Sequence, residues 1–169
     1  MKAFFSKMRG GSALPPRARP AQILLAGLGG LLAIGAVAYL AHATRQPLLL
    51  GSFGATCVLA FGFPESPFSQ PRNIIGGHVL SSLSGLLYLT LFGPTWWSTA
   101  LALATAIMVM LWTRTVHPPA GSNPVIVMMT RPDWMFVLTP TLVGAAILTA
   151  VAVLYNNQGK NRSYPKYWF

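Results

Sequence analysis

Acid is the scarcest chemistry in this sequence. Its 169 residues hold two carboxylate side chains, Glu65 and Asp133, against twelve lysines and arginines, for a formal net charge of +10. Two acids in separate loops make no paired-carboxylate site for general acid–base work. Charge of either sign is rare, at 8% of residues, where a soluble domain carries about 25%. Cysteine is nearly absent too. The single Cys57 excludes an intrachain disulfide framework and a multi-cysteine metal site, and it reads as a buried, inert thiol. Three histidines, His42, His78 and His117, have no carboxylate or cysteine set beside them, so the zinc argument is weak. Ser52 and Ser122 lack a Gly-x-Ser-x-Gly elbow and an evident triad. No nucleotide-binding loop is present. Neither an enzyme nor a cofactor nor a metal is expected.

What the chain has is apolar length. Hydrophobic residues make up 53%, and they fall in long uncharged runs, so an integral membrane protein of one domain is expected. Residues 1–20 form a basic tail, which Pro15, Pro16 and Pro20 keep from being one continuous helix. Residues 156–169 form a second basic tail. Basic residues at both ends place both termini in the cytoplasm, and they make no patch for nucleic acid. Between the tails, residues 21–155 form the transmembrane domain. Ala21–Ala43, Asn73–Phe92, Trp96–Thr113 and Trp134–Tyr155 read as four long transmembrane helices. The first is an uncleaved anchor rather than a secretory signal. Each carries a small-residue face, such as Gly77, Ser81 and Gly85, or Ser98, Ala102 and Ala106. Such faces admit close helix contacts and favour a homo-oligomer. His78 and Ser82 are four apart and share a face. Pro140 should kink the last span.

Two further apolar segments, Pro47–Phe63 and Pro118–Thr130, are short and interrupted by glycine or proline. They read as broken or re-entrant helices. They also sit in matching places. Arg45 precedes Gly51 and Glu65 follows it; Arg114 precedes Gly121 and Asp133 follows it, at intervals of 69, 70 and 68 residues. The order long span, short segment, long span occurs in residues 21–92 and again in 96–155. An all-α membrane fold with an internal two-fold repeat is therefore expected, in the pattern of transporters with paired interrupted segments. Crossing segments make the repeat inverted; re-entrant ones make it parallel.

The densest polar stretch is Thr113–Pro124, between two apolar runs. It combines Arg114, His117, Pro118, Pro119, Gly121, Ser122, Asn123 and Pro124. Unsatisfied polar groups in hydrocarbon cost several kcal/mol each, so the stretch is a surface loop or lines something wet. Plain roles exist for most of its residues and their counterparts. His117 can cap the end of the preceding helix, or act as a pH-sensitive gate or donor. His78 reads as an interhelical histidine bonded to a serine. Arg72 and Arg131 can be interfacial anchors, pairing with Glu65 and Asp133. Met108, Met110, Met128, Met129 and Met135 read as packing.

The blocks as a set resemble the HPP family of small integral membrane proteins, named for the motif that is His117-Pro118-Pro119 here. The resemblance rests on Gly51-Ser52-Phe53-Gly54-Ala55-Thr56, Ser66-Pro67, Gln70-Pro71-Arg72-Asn73, Gly76-Gly77-His78, Ala120-Gly121, Asn123-Pro124 and Arg162-Ser163-Tyr164-Pro165. Ser122 stands where alanine is common, and Phe68-Ser69 where a shorter apolar residue and alanine are common. The resemblance implies four transmembrane helices and transport, since chloroplast and cyanobacterial relatives are associated with nitrite. Some relatives carry a regulatory CBS region after the membrane part, and this chain is expected to lack one.

The resulting expectation is a transporter or channel for a small monovalent anion such as nitrite, in the bacterial inner membrane. A small anion needs donors and positive potential, and helix N-termini supply both. The expected anion contacts are Gly51, Ser52, Phe53, Gly54, His117, Gly121, Ser122 and Asn123. Arg45, Arg72, His78 and Arg114 are expected to attract or gate the anion. Two other readings stand beside this one: a non-transporting membrane subunit whose polar motif only joins helices, and a cation path.

Overall fold

The computed structural model describes residues 2–8, 10–158 and 162–168. Arg9 and Lys160 of the basic tails lie outside the described residues. Among those described, every regular element is helical. A short helix, α1 (Lys2–Lys7), precedes the proline-rich part of the tail. The first long helix, α2 (Pro20–Thr44), opens with proline at its first turn, where the missing N–H costs nothing. It closes on Arg45, whose φ of 57° is left-handed.

Pro47–Leu50 then runs without helix, and α3 (Gly51–Gly62) follows. A short 3-10 turn, Pro67–Ser69, leads into α4 (Pro71–Phe92). After the Gly93 turn comes α5 (Trp96–Trp112), capped by the Thr95 side chain on the Ser98 N–H. The second short segment is a 3-10 turn, Pro118–Ser122, continued by α6 (Asn123–Thr130). The chain ends with a 3-10 turn (Trp134–Val137), a π turn (Leu138–Leu142) and α7 (Val143–Asn156). The expected kink at Pro140 is present: Thr139 leaves helical geometry at φ −132° and ψ 116°, and the Thr139–Pro140 bond is cis.

Side-chain contacts set the direction of each element. Tyr155 donates to the Leu25 carbonyl at 2.8 Å, and Asn156 to the Ala60 carbonyl at 2.9 Å. The start of α2 and the ends of α3 and α7 therefore share one end of the bundle. Arg72 donates to the Thr113 carbonyl at 2.8 Å, which brings the start of α4 and the end of α5 to that same end. The second short segment then climbs alongside α4. Gly76 and Gly77 meet Thr115 and His117, Ser81 donates to the Ala120 carbonyl at 2.6 Å, and Gly85 meets Pro124 and Val127. At the top, the Ser98 hydroxyl lies 4.0 Å from the Met128 sulfur. The anticipated close-packing faces of α4 and α5 are the ones used: Gly77, Ser81, Gly85, Ser98, Ala102 and Ala106 are all buried.

One backbone contact occurs twice. A Cβ on Gly77 would lie 2.9 Å from the Thr115 carbonyl oxygen, and one on Gly144 would lie 3.2 Å from the Leu48 carbonyl oxygen. Both partners are displaced by 67 residues. In each case the non-helical chain that leads into a short segment's helix lies across a glycine on another helix.

Three helical stretches are long and apolar enough to cross a membrane: Pro20–Thr44, Pro71–Phe92 and Trp134–Asn156. Four had been expected. The fourth, α5, ends within one residue of its expected bound, but its 17 residues, about 25 Å, leave it shorter than the other three; the chain turns at Thr113 and the left-handed Arg114. Two expected loop ion pairs are replaced. Glu65 binds Lys166 at 2.7 Å rather than Arg72. Asp133 caps the turn at Trp134 by accepting from the Met135 N–H at 2.9 Å.

Candidate functional site

The polar residues of the two short segments converge on α4, in the interior of the bundle. Thr56 lies in the second turn of α3, and its Oγ1 is 2.9 Å from His78 Nε2 and 2.9 Å from His117 Nε2. His117 Nδ1 lies 2.7 Å from the Phe68 carbonyl oxygen. Asn123, the first residue of α6, sets its Nδ2 at 3.2 Å from the His78 carbonyl, 3.1 Å from His78 Nδ1 and 2.9 Å from the Ser82 hydroxyl. Ser82 continues to Thr141 at 3.1 Å. Thr56, His78, Ser82, His117, Asn123 and Thr141 are fully buried. The Phe53 ring covers His78 edge-on at 5.2 Å, and the two imidazoles are 5.0 Å apart.

Donor and acceptor roles follow from groups that have only one. The Phe68 carbonyl can only accept, so His117 carries its hydrogen on Nδ1. Asn123 must present its NH2 to the His78 carbonyl, and that NH2 faces His78 Nδ1. We therefore assign Nδ1 of His78 as an acceptor and its hydrogen to Nε2, pointing at Thr56. Both rings are neutral in this assignment, and the two hydrogens of the Asn123 NH2 are shared among the His78 carbonyl, His78 Nδ1 and the Ser82 hydroxyl.

Two buried polar atoms of the site have no protein partner: Ser52 Oγ and Asn123 Oδ1. Ser52 is one turn before Thr56 on the same face of α3, at the helix N-terminus, where free N–H groups carry positive potential. Asn123 has spent both amide hydrogens on protein groups, which leaves it an acceptor toward anything further.

The residues anticipated from sequence divide into two groups. Ser52, Phe53, His78, His117 and Asn123 belong to the buried cluster. Gly51, Gly54, Ser122, Arg45 and Arg114 are exposed in the single chain, and Gly121 and Arg72 are half-buried. Ser122 turns back onto the Pro119 carbonyl at 2.9 Å. His117 is no cap for α5: it opens the following 3-10 turn and bonds to Phe68 and Thr56. His78 is an interhelical histidine as anticipated, with threonine and asparagine as side-chain partners in place of a serine. Thr56 and Thr141 were missed as site residues. Thr56 stood four residues after Ser52, a spacing that places both on one helical face.

A loop region closes the tail end beneath the cluster. Gln70 donates to the Pro64 and Ser66 carbonyls at 3.0 and 2.9 Å and accepts from the Lys166 N–H at 2.7 Å. Tyr164 is buried and donates to the Ser69 carbonyl at 2.6 Å. Burial holds its phenol above the ordinary tyrosine range.

A family model described as HPP, transmembrane region, matches residues 15–165. A transmembrane protein of Dictyostelium discoideum is 38% identical over 86% of this chain and 54% of its own length. A second from the same organism is 33% identical over 98% of this chain and 57% of its own. The chain thus spans little more than half the length of these two relatives. No solved structure matches.

Proposed function

The chain belongs to the HPP family of transmembrane regions, and from that premise we propose that it is a transporter or channel for a small monovalent inorganic anion such as nitrite. The supporting observation is the pair of short segments. Each short helix is entered from a stretch of chain without α-helix, and both bring polar residues to the same buried place: Ser52 and Thr56 from α3, His117 and Asn123 from the second segment and the residue that leads into it. Interrupted helices that meet at a midplane site are the working parts of many secondary transporters. Ser52 offers an unused hydroxyl at a helix N-terminus, a combination suited to an anion.

In this reading both short segments cross the membrane. Together with α2, α4, α5 and α7 they make six crossings, four of them helical throughout or nearly so. Residues 21–92 and 96–155 are then inverted repeats with three crossings each. The twofold contact of Leu48 on Gly144 and Thr115 on Gly77 supports that relation, as do the left-handed Arg45 and Arg114, which end α2 and follow α5 at φ 57° and 58°. The basic tails, at one end of the bundle, face the cytoplasm. Arg45, Arg72 and Arg114 raise the anion concentration at the two mouths. The exposed apolar helix faces meet lipid and other copies of the chain. No enzyme activity is part of this reading.

A rival reading takes the cluster as structural glue in a non-transporting subunit. The observation in its favour is the completeness of burial around His78, His117 and Asn123. Asn123 Oδ1, an unpaired acceptor, favours a cation path instead. Fluxes of nitrite, nitrate, chloride, formate, sodium and potassium into liposomes holding the purified protein separate the three. Anion flux above empty vesicles is expected. Absence of any flux gives the structural reading, and cation current alone gives the cation path.

A further inference from the structure

The hydroxyl of Thr56 has one hydrogen and two lone pairs, yet three groups surround it. His78 Nε2 and His117 Nε2 are both at 2.9 Å, and the Ser52 carbonyl is at 3.1 Å. With both rings neutral, His78 Nε2–H donates to Thr56, and Thr56 donates to His117 Nε2. The Ser52 carbonyl then keeps only its place in the α3 helix. One added proton on His117 Nε2 reverses a single bond. Both rings then donate to the two lone pairs of Thr56, and the Thr56 hydrogen turns to the Ser52 carbonyl. The Thr56 hydroxyl, the two Nε2 atoms and the Ser52 carbonyl each have a partner in both states, and no side chain has to move.

The added proton has one address. His78 cannot take it on Nδ1, because the Asn123 NH2 occupies that direction and is held there by the His78 carbonyl and Ser82. A second proton is opposed by the first, since the rings are 5.0 Å apart in a buried site. Other ionisable groups are turned elsewhere. Cys57, next to Thr56, faces α2 at Gly30; Arg72 binds the Thr113 carbonyl; Tyr164 and Tyr167 bind loop carbonyls; Glu65 pairs with Lys166.

We propose that His117, Thr56 and His78 form a binding site for a single proton, and that this proton is the co-substrate carried with the anion. The second half rests on the transport reading above. The proton leaves water on one side, sits on His117 Nε2, and returns to water on the other side; no other group changes its charge. A monovalent anion held at Ser52, one turn away on α3, makes the loaded site neutral, so the carried pair is electroneutral. Thr56 acts by positioning the proton rather than by holding it.

Two measurements on the full chain in lipid vesicles test this. The first is nitrogen-15 NMR of labelled histidine across a pH titration. His117 hydrogen on Nδ1 and His78 hydrogen on Nε2 are expected at high pH, with His117 alone becoming the cation as pH falls. The opposite tautomers, or both rings charging in one step, overturn the single-proton site. The second follows external pH while a nitrate or nitrite gradient relaxes, with voltage clamped by potassium and valinomycin and empty vesicles subtracting passage of the free acid. One proton per anion is expected for wild type and for Thr56→Ser, and loss of coupled proton movement for Thr56→Val. Anion flux with no proton movement overturns co-transport and leaves the transport function standing. No anion flux at all removes the transport function and co-transport together, and the NMR result then decides the proton site alone. Circular dichroism of Thr56→Val shows that it folds; if it does not, the unequal titration of His117 and His78 in wild type decides.

Discussion

Thr56 joins His78 to His117 through one oxygen, 2.9 Å from each ring nitrogen. That oxygen links α3, α4 and the start of the His-Pro-Pro turn, three elements distant in sequence. Replacing Thr56 by valine keeps the shape and strands two buried imidazole nitrogens. A loss of about 1–3 kcal/mol in stability is expected. Thr56→Ser keeps the hydroxyl and should lose less than about 1.5 kcal/mol, the cost of a methyl group. Thermal unfolding of both variants in one detergent checks the order.

The paired glycine contacts predict paired effects. A Cβ on Gly77 would meet His117 Cβ at 2.7 Å, and a Cβ on Gly144 would meet the Phe53 ring. Gly77→Ala and Gly144→Ala are each expected to cost about 1–3 kcal/mol by overpacking. Gly54→Ala has open space around it and should be neutral or stabilising by up to about 1 kcal/mol. Melting temperatures of the three variants are the check.

Tyr164 predicts a pH dependence at the alkaline end. Burial raises its phenol above the unfolded value, so the folded state holds that proton more tightly. The stabilisation is full below about pH 10 and is lost as pH climbs past it. The difference in melting temperature between wild type and Tyr164→Phe should be constant near neutrality and shrink above that pH.

The Glu65–Lys166 pair is exposed, with 42% and 71% of the two side chains accessible, lysine first. Glu65→Gln should change stability by less than about 1 kcal/mol, and a larger loss measured by unfolding would show that the pair anchors the carboxyl-terminal tail.

Three of the four expected spans were legible from their uncharged apolar length, and the contact faces of α4 and α5 from a small residue at every fourth position. The pairing of His78 with Ser82 on one face was legible for the same reason, and both reach Asn123. The partners of His117 were not. Phe68 contributes a carbonyl, which every residue has, and Thr56 looks like any threonine in a short apolar helix. The loop ion pairs went astray because nearest charge in sequence stood in for nearest charge in space. Lys166 reaches Glu65 across 101 residues, a separation no local pattern encodes.

Ser52 tests the central claim most directly, because its hydroxyl bonds to no protein group and its loss should leave the fold intact. The measurement is the initial rate of nitrite and nitrate entry into proteoliposomes, for wild type, Ser52→Ala and empty vesicles. The account predicts wild-type entry above empty vesicles and a fall of at least about tenfold in Ser52→Ala, the equivalent of one lost hydrogen bond to a charged group. Wild-type rates equal to empty vesicles contradict the transport function. Equal rates in wild type and Ser52→Ala contradict the path between the two interrupted segments.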